Sequence, residues 1–229
     1  MKYAAVFFLF FSILSTARAQ TASTTPPDTA APAPWKDITL GPLFSAGAAV
    51  NAGTVADGAK TSSAFAFSAG ADADFPLNQN IAFNLGLAYD ARGINFHDQN
   101  ADTNKVDYTF GYFEIRPELR FSGFLIGVGL GIPVSASATG GGTTKAPSIG
   151  SSAMNTLFEL RLGGSIPVIE TDNGVLDFTV EGAYAFTHIV SNGPLPYYDS
   201  SKNPPSSDNN GSLASAEIGV KYLFDLTHH

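Results

Sequence analysis

Residues 81–92 read IAFNLGLAYDAR, and their apolar and polar side chains alternate almost without interruption. One face carries Ile81, Phe83, Leu85, Leu87 and Tyr89, and the other carries Asn84, Gly86, Asp90 and Arg92. Successive side chains of an extended strand point to opposite sides, so a period of two predicts a β-strand whose two faces meet different surroundings.

Seven further segments show the same period, which brings the expected number of strands to eight. They are 40–51, 63–75, 106–121, 124–136, 157–168, 175–189 and 214–224. Segment 106–121 changes phase, because Tyr108, Phe110 and Tyr112 alternate out of step with Phe113 and the residues after it. A β-bulge near Tyr112–Phe113 would explain this, since one extra residue turns every later side chain to the other face.

The connections between these segments alternate between long and short. Long ones lie near 52–62, 93–105, 138–151 and 190–212, and short ones lie at 76–80, 122–123 and 170–174. Membrane barrels have tight turns at one end and extended loops at the other. The sequence therefore predicts an all-β fold, an eight-stranded antiparallel up-and-down transmembrane β-barrel with short periplasmic turns and long extracellular loops.

The composition of the polar face favours a membrane over water outside the barrel. That face is rich in glycine, alanine and serine, and its charges alternate in sign, as in Glu114, Arg116, Glu118 and Arg120. Only 14% of the residues are charged, whereas a water-facing surface carries roughly 25–35%. A soluble periplasmic lipocalin-like carrier, with its apolar side chains inside, is the alternative.

The N-terminus has the features of an export signal. Lys2 precedes an apolar run, and Ala17-Arg18-Ala19 matches a small-x-small cleavage site. We expect a signal peptide at 1–19, a disordered periplasmic segment rich in Pro, Ala and Thr at 20–37, the barrel at 38–226 and a tail at 227–229.

Charge and cysteine content exclude several classes of function. The net charge is −8, which argues against a nucleic-acid partner, because phosphate binding needs a concentrated basic surface. The chain has no cysteine, so it has no disulfide, thiolate metal site or thiol nucleophile. Neither a phosphate-binding loop nor a zinc-hydrolase motif is present in the sequence, and we expect no metal and no cofactor.

The polar face predicts an ion-pair network in the lumen. Its acids are Asp72, Asp74, Asp90, Glu114, Glu118, Glu159, Asp177, Glu181 and Glu217, and its bases are Arg92, Arg116, Arg120, Arg161 and Lys221. An eight-stranded barrel has an interior just wide enough for its own side chains, so we expect a plug and no open pore. Acids exceed bases, and unpaired buried charge is costly. We therefore expect some carboxylates to be protonated, hydrated or joined by a cation.

The chain resembles the small outer-membrane β-barrel domain family, with the architecture of the OmpA transmembrane domain, OmpX and PorT-like barrels. The resemblance rests on the export signal, YFEIRPELRF at 112–121, FNLGLAYDARG at 83–93 and EIGVKYLFDL at 217–226. It implies a place in the cell outer membrane, contact with outer-membrane lipid and lipopolysaccharide, and insertion by the barrel-assembly machinery. The resemblance indicates architecture and location and not a shared activity; our own expectation is a structural or surface-interaction role and no enzymatic activity. An extracellular protein or surface ligand is expected to bind through the loops.

An enzymatic alternative rests on FTHIVSNGP at 186–194, which is similar to the His-x-Ser-Asn motif of lipid A deacylases. It makes His188 and Ser191 weak catalytic candidates for a lipid A deacylase-like esterase, with the imidazole taking the hydroxyl proton. The spacing here is His-x-x-Ser, which in a strand places the two side chains on opposite faces. In the longest loop, Tyr197 and Tyr198 are candidate contact residues for a surface ligand.

Overall fold

The computed structural model describes residues 38–55, 59–98, 104–142, 148–191 and 211–226. The expected signal peptide, the 20–37 segment, the 227–229 tail and both loop tyrosines lie outside these residues. Eight strands follow one another: β1 Thr39–Asn51, β2 Ala59–Pro76, β3 Ile81–Asp98, β4 Lys105–Phe121, β5 Phe124–Gly141, β6 Leu157–Thr171, β7 Gly174–Ala185 and β8 Leu213–Asp225. A 3-10 turn, Ser151–Ala153, precedes β6.

The strands form a closed barrel in chain order, which confirms the predicted all-β, eight-stranded antiparallel up-and-down barrel. Each strand pairs antiparallel with the next, and β1 closes the ring against β8, with Ala46 opposite Ile218. Closure leaves no sheet edge around the ring, as a strand structure in lipid requires. Among the described residues, no helix is long and apolar enough to cross a membrane.

Apolar side chains cover the outside of the barrel. Phe44, Phe65, Ile132 and Ile218 are each more than half exposed. The polar face, by contrast, is turned inward: Asp90, Glu114 and their neighbours are buried. This orientation excludes the lipocalin-like carrier, which needs its apolar side chains inside.

Several strands end in places that the sequence pattern did not predict. β2, β3 and β5 continue further toward the long connections than expected, to Ala59, Asp98 and Gly141. β7 instead stops at Ala185, and only an isolated bridge joins Val190 to Met154 beyond it. The extensions of β2 and β3 are stabilised by apolar side chains that turn into the barrel there, which the short sequence segments did not include.

The expected bulge in β4 is wrong. β3 and β4 pair without a break from Ile81 opposite Phe121 to His97 opposite Lys105, so β4 keeps one phase throughout. The register shift beside Tyr112 belongs to the pairing with β5, where Val134 is the additional residue. Tyr108, Phe110 and Tyr112 therefore point inward, on the same face as Glu114 and Arg116. The polarity of the two faces changes along β4, while the direction of the side chains does not.

Candidate functional site: the barrel interior

The interior has two layers, and charged side chains fill the layer on the side of the short turns. We call it the ionic layer; it contains the fourteen charged residues of the polar face. Thirteen of its side chains are no more than 14% exposed, and Arg120 is 30% exposed. All fourteen predicted luminal residues thus lie on the inner face, and the contacts below show which of them come together.

Arg92 on β3 is the most enclosed cation of the ionic layer, with a side chain that is 0% exposed. Its guanidinium donates to both carboxylate oxygens of Asp90, at 3.0 and 2.8 Å, and to both of Glu159, at 2.5 and 3.0 Å. A further hydrogen bond of 3.3 Å reaches Glu114. The planar guanidinium of Arg92 therefore joins three carboxylates on three strands. Lysine cannot supply this geometry.

Two more arginines extend this cluster around the ring. Arg116 donates to Asp90 at 2.6 Å and to Glu114 at 2.8 Å. Arg161 donates to Glu159 at 2.6 Å and to Glu118 at 3.2 Å, and it also pairs with Glu181. Shared carboxylates link the three arginines into one network, so each position depends on the others.

A smaller group lies nearer the short turns. Arg120 pairs with Asp74 at 2.9 Å, and Lys221 pairs with Asp72 at 3.2 Å. Neutral side chains complete the coordination of these acids: Asn84 donates to Asp74 at 2.6 Å, and Ser165 donates to Asp177 at 2.5 Å. Sequence reasoning missed the serine and asparagine partners, because polar uncharged residues on an inner face carry no distinctive spacing.

Glu217 has no ion-pair partner among the described residues. Its carboxylate accepts a hydrogen bond of 2.5 Å from Ser45, whose hydroxyl also lies 2.7 Å from that of Ser68. Glu181 lies directly opposite it on β7. The excess of acids over bases in the ionic layer is therefore located in part at Glu217, because Glu181 pairs with Arg161.

Glycines on the inner face make room for these side chains. A Cβ added at Gly129 would lie 2.7 Å from the Cγ of Glu159, and one added at Gly86 would lie 2.7 Å from a carboxylate oxygen of Asp72. Real Cβ atoms do not approach other atoms this closely. On β5, Gly127 and Gly129 thus leave room for the side chains of Glu118 and Glu159.

The second layer lies on the side of the long connections, and it is apolar. We call it the apolar layer. Its buried members are Ala59, Ile94, Phe96, Val106, Tyr108, Phe110, Tyr112, Met154, Leu157, Ala185, Ile189 and Leu213. Tyr108 stacks on Phe110 with ring centroids 5.6 Å apart and meets Phe96 edge-on at 6.0 Å. The out-of-phase aromatics of β4 were the sequence signal for this layer, and a bulge was the wrong interpretation of them.

Tyr112 lies where the two layers meet. Its side chain is fully buried, it stands opposite Asp90, and its hydroxyl has no hydrogen-bond partner within the described part of the chain. Outside the barrel the polarity changes at the same level: Phe113 and Ile115 are exposed and apolar, whereas Thr109 and Asp107 are the outward residues of β4 beyond it. At this level the inner face of the sheet changes from charged to apolar, and the outer face changes from apolar to polar.

His188 and Ser191 do not come together. The Ser191 hydroxyl donates to the backbone oxygen of Ala153 at 3.1 Å, while Nδ1 of His188 lies 3.3 Å from the hydroxyl of Ser212. The two side chains are directed to different neighbours, although β7 ends at Ala185 and the strand alternation therefore does not apply to them. No group of three or more His, Cys, Asp or Glu residues in the described ranges is arranged to hold a metal ion.

Residues 40–129 match the model of the outer membrane protein beta-barrel domain family. The match starts in β1 and ends in β5, so it covers the strands that carry most of the ionic layer. The chain is an outer-membrane β-barrel protein. The predicted location in the cell outer membrane is confirmed.

Several solved outer-membrane barrel structures are similar to this chain at low sequence identity. The attachment invasion locus protein Ail of Yersinia pestis, solved with the heparin analogue sucrose octasulfate, is 14% identical with a TM-score of 0.38, covering 83% of this chain and 99% of its own. Neisserial surface protein A is 14% identical with a TM-score of 0.38, covering 82% and 97%. OprG of Pseudomonas aeruginosa is 9% identical with a TM-score of 0.35, covering 83% and 94%. No curated protein sequence matches the chain significantly.

Proposed function

We propose that this outer-membrane barrel is a non-enzymatic structural and surface-interaction protein whose lumen is closed by its own side chains. Its long connections and the strand ends beneath them face the outside of the cell and form the interaction surface. An extracellular protein, a surface ligand or the lipopolysaccharide of the outer leaflet is the partner class.

The succession of two packed layers in one lumen carries this proposal. An open pore needs a continuous polar path, but here the ionic layer is followed by the apolar layer, where Phe96, Tyr108 and Phe110 are buried. An ion that entered among the carboxylates would then have to leave its partners and cross an apolar region, which is strongly unfavourable.

The shape of the barrel ends supports this direction of insertion. The short turns at 77–80, 122–123 and 172–173 project little, whereas β2 to β5 extend well past the apolar exterior at the opposite end. Short periplasmic turns and longer extracellular segments are typical of such barrels. A signal peptide at 1–19, a periplasmic segment at 20–37 and insertion by the barrel-assembly machinery complete the proposal.

The lipid A deacylase alternative has little support. His188 contacts Ser212 and not Ser191, so the proposed base does not reach the proposed nucleophile. Mass spectrometry of lipid A from cells with and without the protein distinguishes the esterase from the non-enzymatic protein. Loss of an acyl chain only when wild-type protein is present, and not with a His188→Ala variant, would establish an enzyme.

Conductance tests the closed lumen. Purified protein in a planar bilayer should show no steady single-channel current, and a Phe110→Ala/Tyr108→Ala double variant should still be blocked by the ionic layer. A reproducible unitary current from the wild-type protein would refute the plug. Retention of the faster gel mobility in unboiled samples shows that the protein tested is a folded barrel.

The absence of native cysteine makes the orientation directly measurable. Ser137→Cys on the exposed outer face of β5 should react with a membrane-impermeant maleimide on intact cells, and Gln79→Cys in a short turn should react only after lysis. Both residues are exposed, which makes them a matched pair. The reverse pattern would place the long connections in the periplasm and would overturn the proposal.

A further inference from the structure

The part of β5 nearest the long connections has a strand partner on one side only. β4 pairs with β5 from Phe121 opposite Phe124 to Lys105 opposite Gly141. β6 pairs with β5 only as far as Gly131 opposite Leu157. Residues 132–141 therefore form a free sheet edge, roughly 30 Å long at the usual rise per residue.

The segment that leads from this edge to β6 does not pair with it. The N–H of Ala153 donates to the backbone oxygen of Gly150, within the same segment, and the N–H of Asn155 donates to the backbone oxygen of Ile189 at 2.8 Å. Over the described ranges, no backbone hydrogen bond joins this segment to residues 132–141. The backbone groups on that side of β5 are therefore available to another strand.

The sequence of the edge lacks the features that usually prevent a free edge from pairing. Natural sheets protect their edges with charged side chains, with proline or with a covering segment. Pro133 stands at the start of the edge, but residues 134–141 read VSASATGG and contain neither a charge nor a proline. The adjacent end of β4, by contrast, carries Lys105 and Asp107. An unprotected edge of this length is a template for pairing with another chain.

The two faces of the edge indicate which side chains a paired strand would need. Ala136 and Ala138 are partly buried and pack against the apolar layer, and the buried rings of Phe110 and Tyr108 stand opposite them on β4. Ser137, between the two alanines, is exposed on the outer face. An added strand would therefore place apolar side chains on the inner face and polar side chains on the outer face.

A second copy of the chain in the same membrane does not fit this edge. Strands of such barrels are tilted by roughly 35–45°, so a two-fold axis along the membrane normal would cross the two β5 strands at roughly 70–90°. Neighbouring strands of a sheet are rotated by only about 20–25°. The edge is therefore better suited to a segment of a different protein.

We propose that residues 132–141 of β5 bind an extended segment of an extracellular protein, which joins the sheet as an additional strand with alternating apolar and polar side chains. Main-chain hydrogen bonds supply the affinity of such a contact, and alternate side chains supply its specificity. This inference rests on the proposed function, because the outward orientation places the edge outside the cell. It names the kind of partner and the surface that the proposed function leaves open.

A peptide of alternating valine and threonine tests the edge. Fluorescein-labelled Lys-(Val-Thr)4-Lys should bind to the full chain in detergent, as measured by fluorescence anisotropy. The matched control peptide is N-methylated at every valine and threonine, which removes its backbone donors and leaves its charge unchanged. It should bind at least about tenfold more weakly, because it cannot form the strand hydrogen bonds.

Two proline variants locate the binding on β5. The N–H groups of successive strand residues point to opposite sides, so Ser137→Pro and Ala138→Pro remove donors that face opposite neighbours. The variant that loses a hydrogen bond to β4 should lower the barrel stability in urea unfolding. The other should change stability little and should weaken binding of the unmodified peptide by about tenfold.

Separation of these two effects, with weak binding of the N-methylated peptide, would support the edge. Equal binding of both peptides, no binding of either, or unchanged peptide affinity in both proline variants would overturn it. A tenfold gain in affinity on deletion of residues 193–209 would show that the chain's own connection occupies the edge, and would overturn the choice of partner. Ser137→Cys labelling measures the orientation separately, so the edge and the proposed function can fail independently.

Discussion

Replacing Arg92 by methionine is the sharpest test of the ionic layer. The side chain is 0% exposed and donates five hydrogen bonds to Asp90, Glu114 and Glu159, all likewise 0% exposed. Methionine preserves much of the volume, but it deprives three carboxylates of the positive charge and hydrogen bonds of Arg92. Removing one partner of a buried ion pair typically costs about 3–5 kcal/mol, and we expect a loss within that range.

Arg120→Met is the matched control. Arg120 is 30% exposed, and its partner Asp74 keeps the hydrogen bond of 2.6 Å from Asn84 when the arginine is removed. Its loss should therefore cost less than that of Arg92, about 1–2 kcal/mol. Urea unfolding in lipid vesicles, followed by gel mobility without boiling, measures both variants.

Acidification provides a second readout with a defined sign. Without Arg92, protonation removes the uncompensated negative charge, so the deficit of Arg92→Met relative to wild type should shrink as the pH falls. Adding Glu159→Gln to Arg92→Met should recover part of the loss for the same reason. A cost for Arg92→Met no larger than that of Arg120→Met, unchanged between neutral and acidic pH, would refute the account of the ionic layer.

The remaining predictions concern the exchange of polarity along β4. Ile115→Lys should destabilise the barrel by about 1–3 kcal/mol, because Ile115 lies on the apolar exterior between its edge at Phe113 and its middle. Thr109→Lys, on the same face beyond that edge, should change the urea midpoint little. Phe110→Ala should cost about 3–5 kcal/mol because it leaves a cavity in the apolar layer. Phe113→Ala should cost about 1–2 kcal/mol because lipid can fill the space outside. Urea unfolding measures the loss of stability in each variant. Equal losses for the two lysine variants, or for the two alanine variants, would contradict the assigned faces.

Much of the fold could be predicted from local alternation. In 81–92 the pattern identified the strand, and the glycines and mixed charges of its polar face identified that face as the inner one. The same reasoning failed at Tyr112 and Phe113, where two apolar residues are adjacent. Such a pair is consistent with a bulge, and equally with a change of environment at the membrane surface. Only the unbroken register between β3 and β4 separates these explanations.

The sequence could not show which interior side chains contact one another. The charged residues could be assigned to the inner face, but Arg92 meets Glu159 from 67 positions away, and that meeting depends on the register and curvature of the closed sheet. Sequence by itself determined the eight strands and which face of the membrane-level segments meets lipid, because alternation is a property of neighbouring residues in the chain. The tertiary structure alone decided the apolar layer and the partners of each charged side chain, because side chains on different strands become neighbours only when the ring closes.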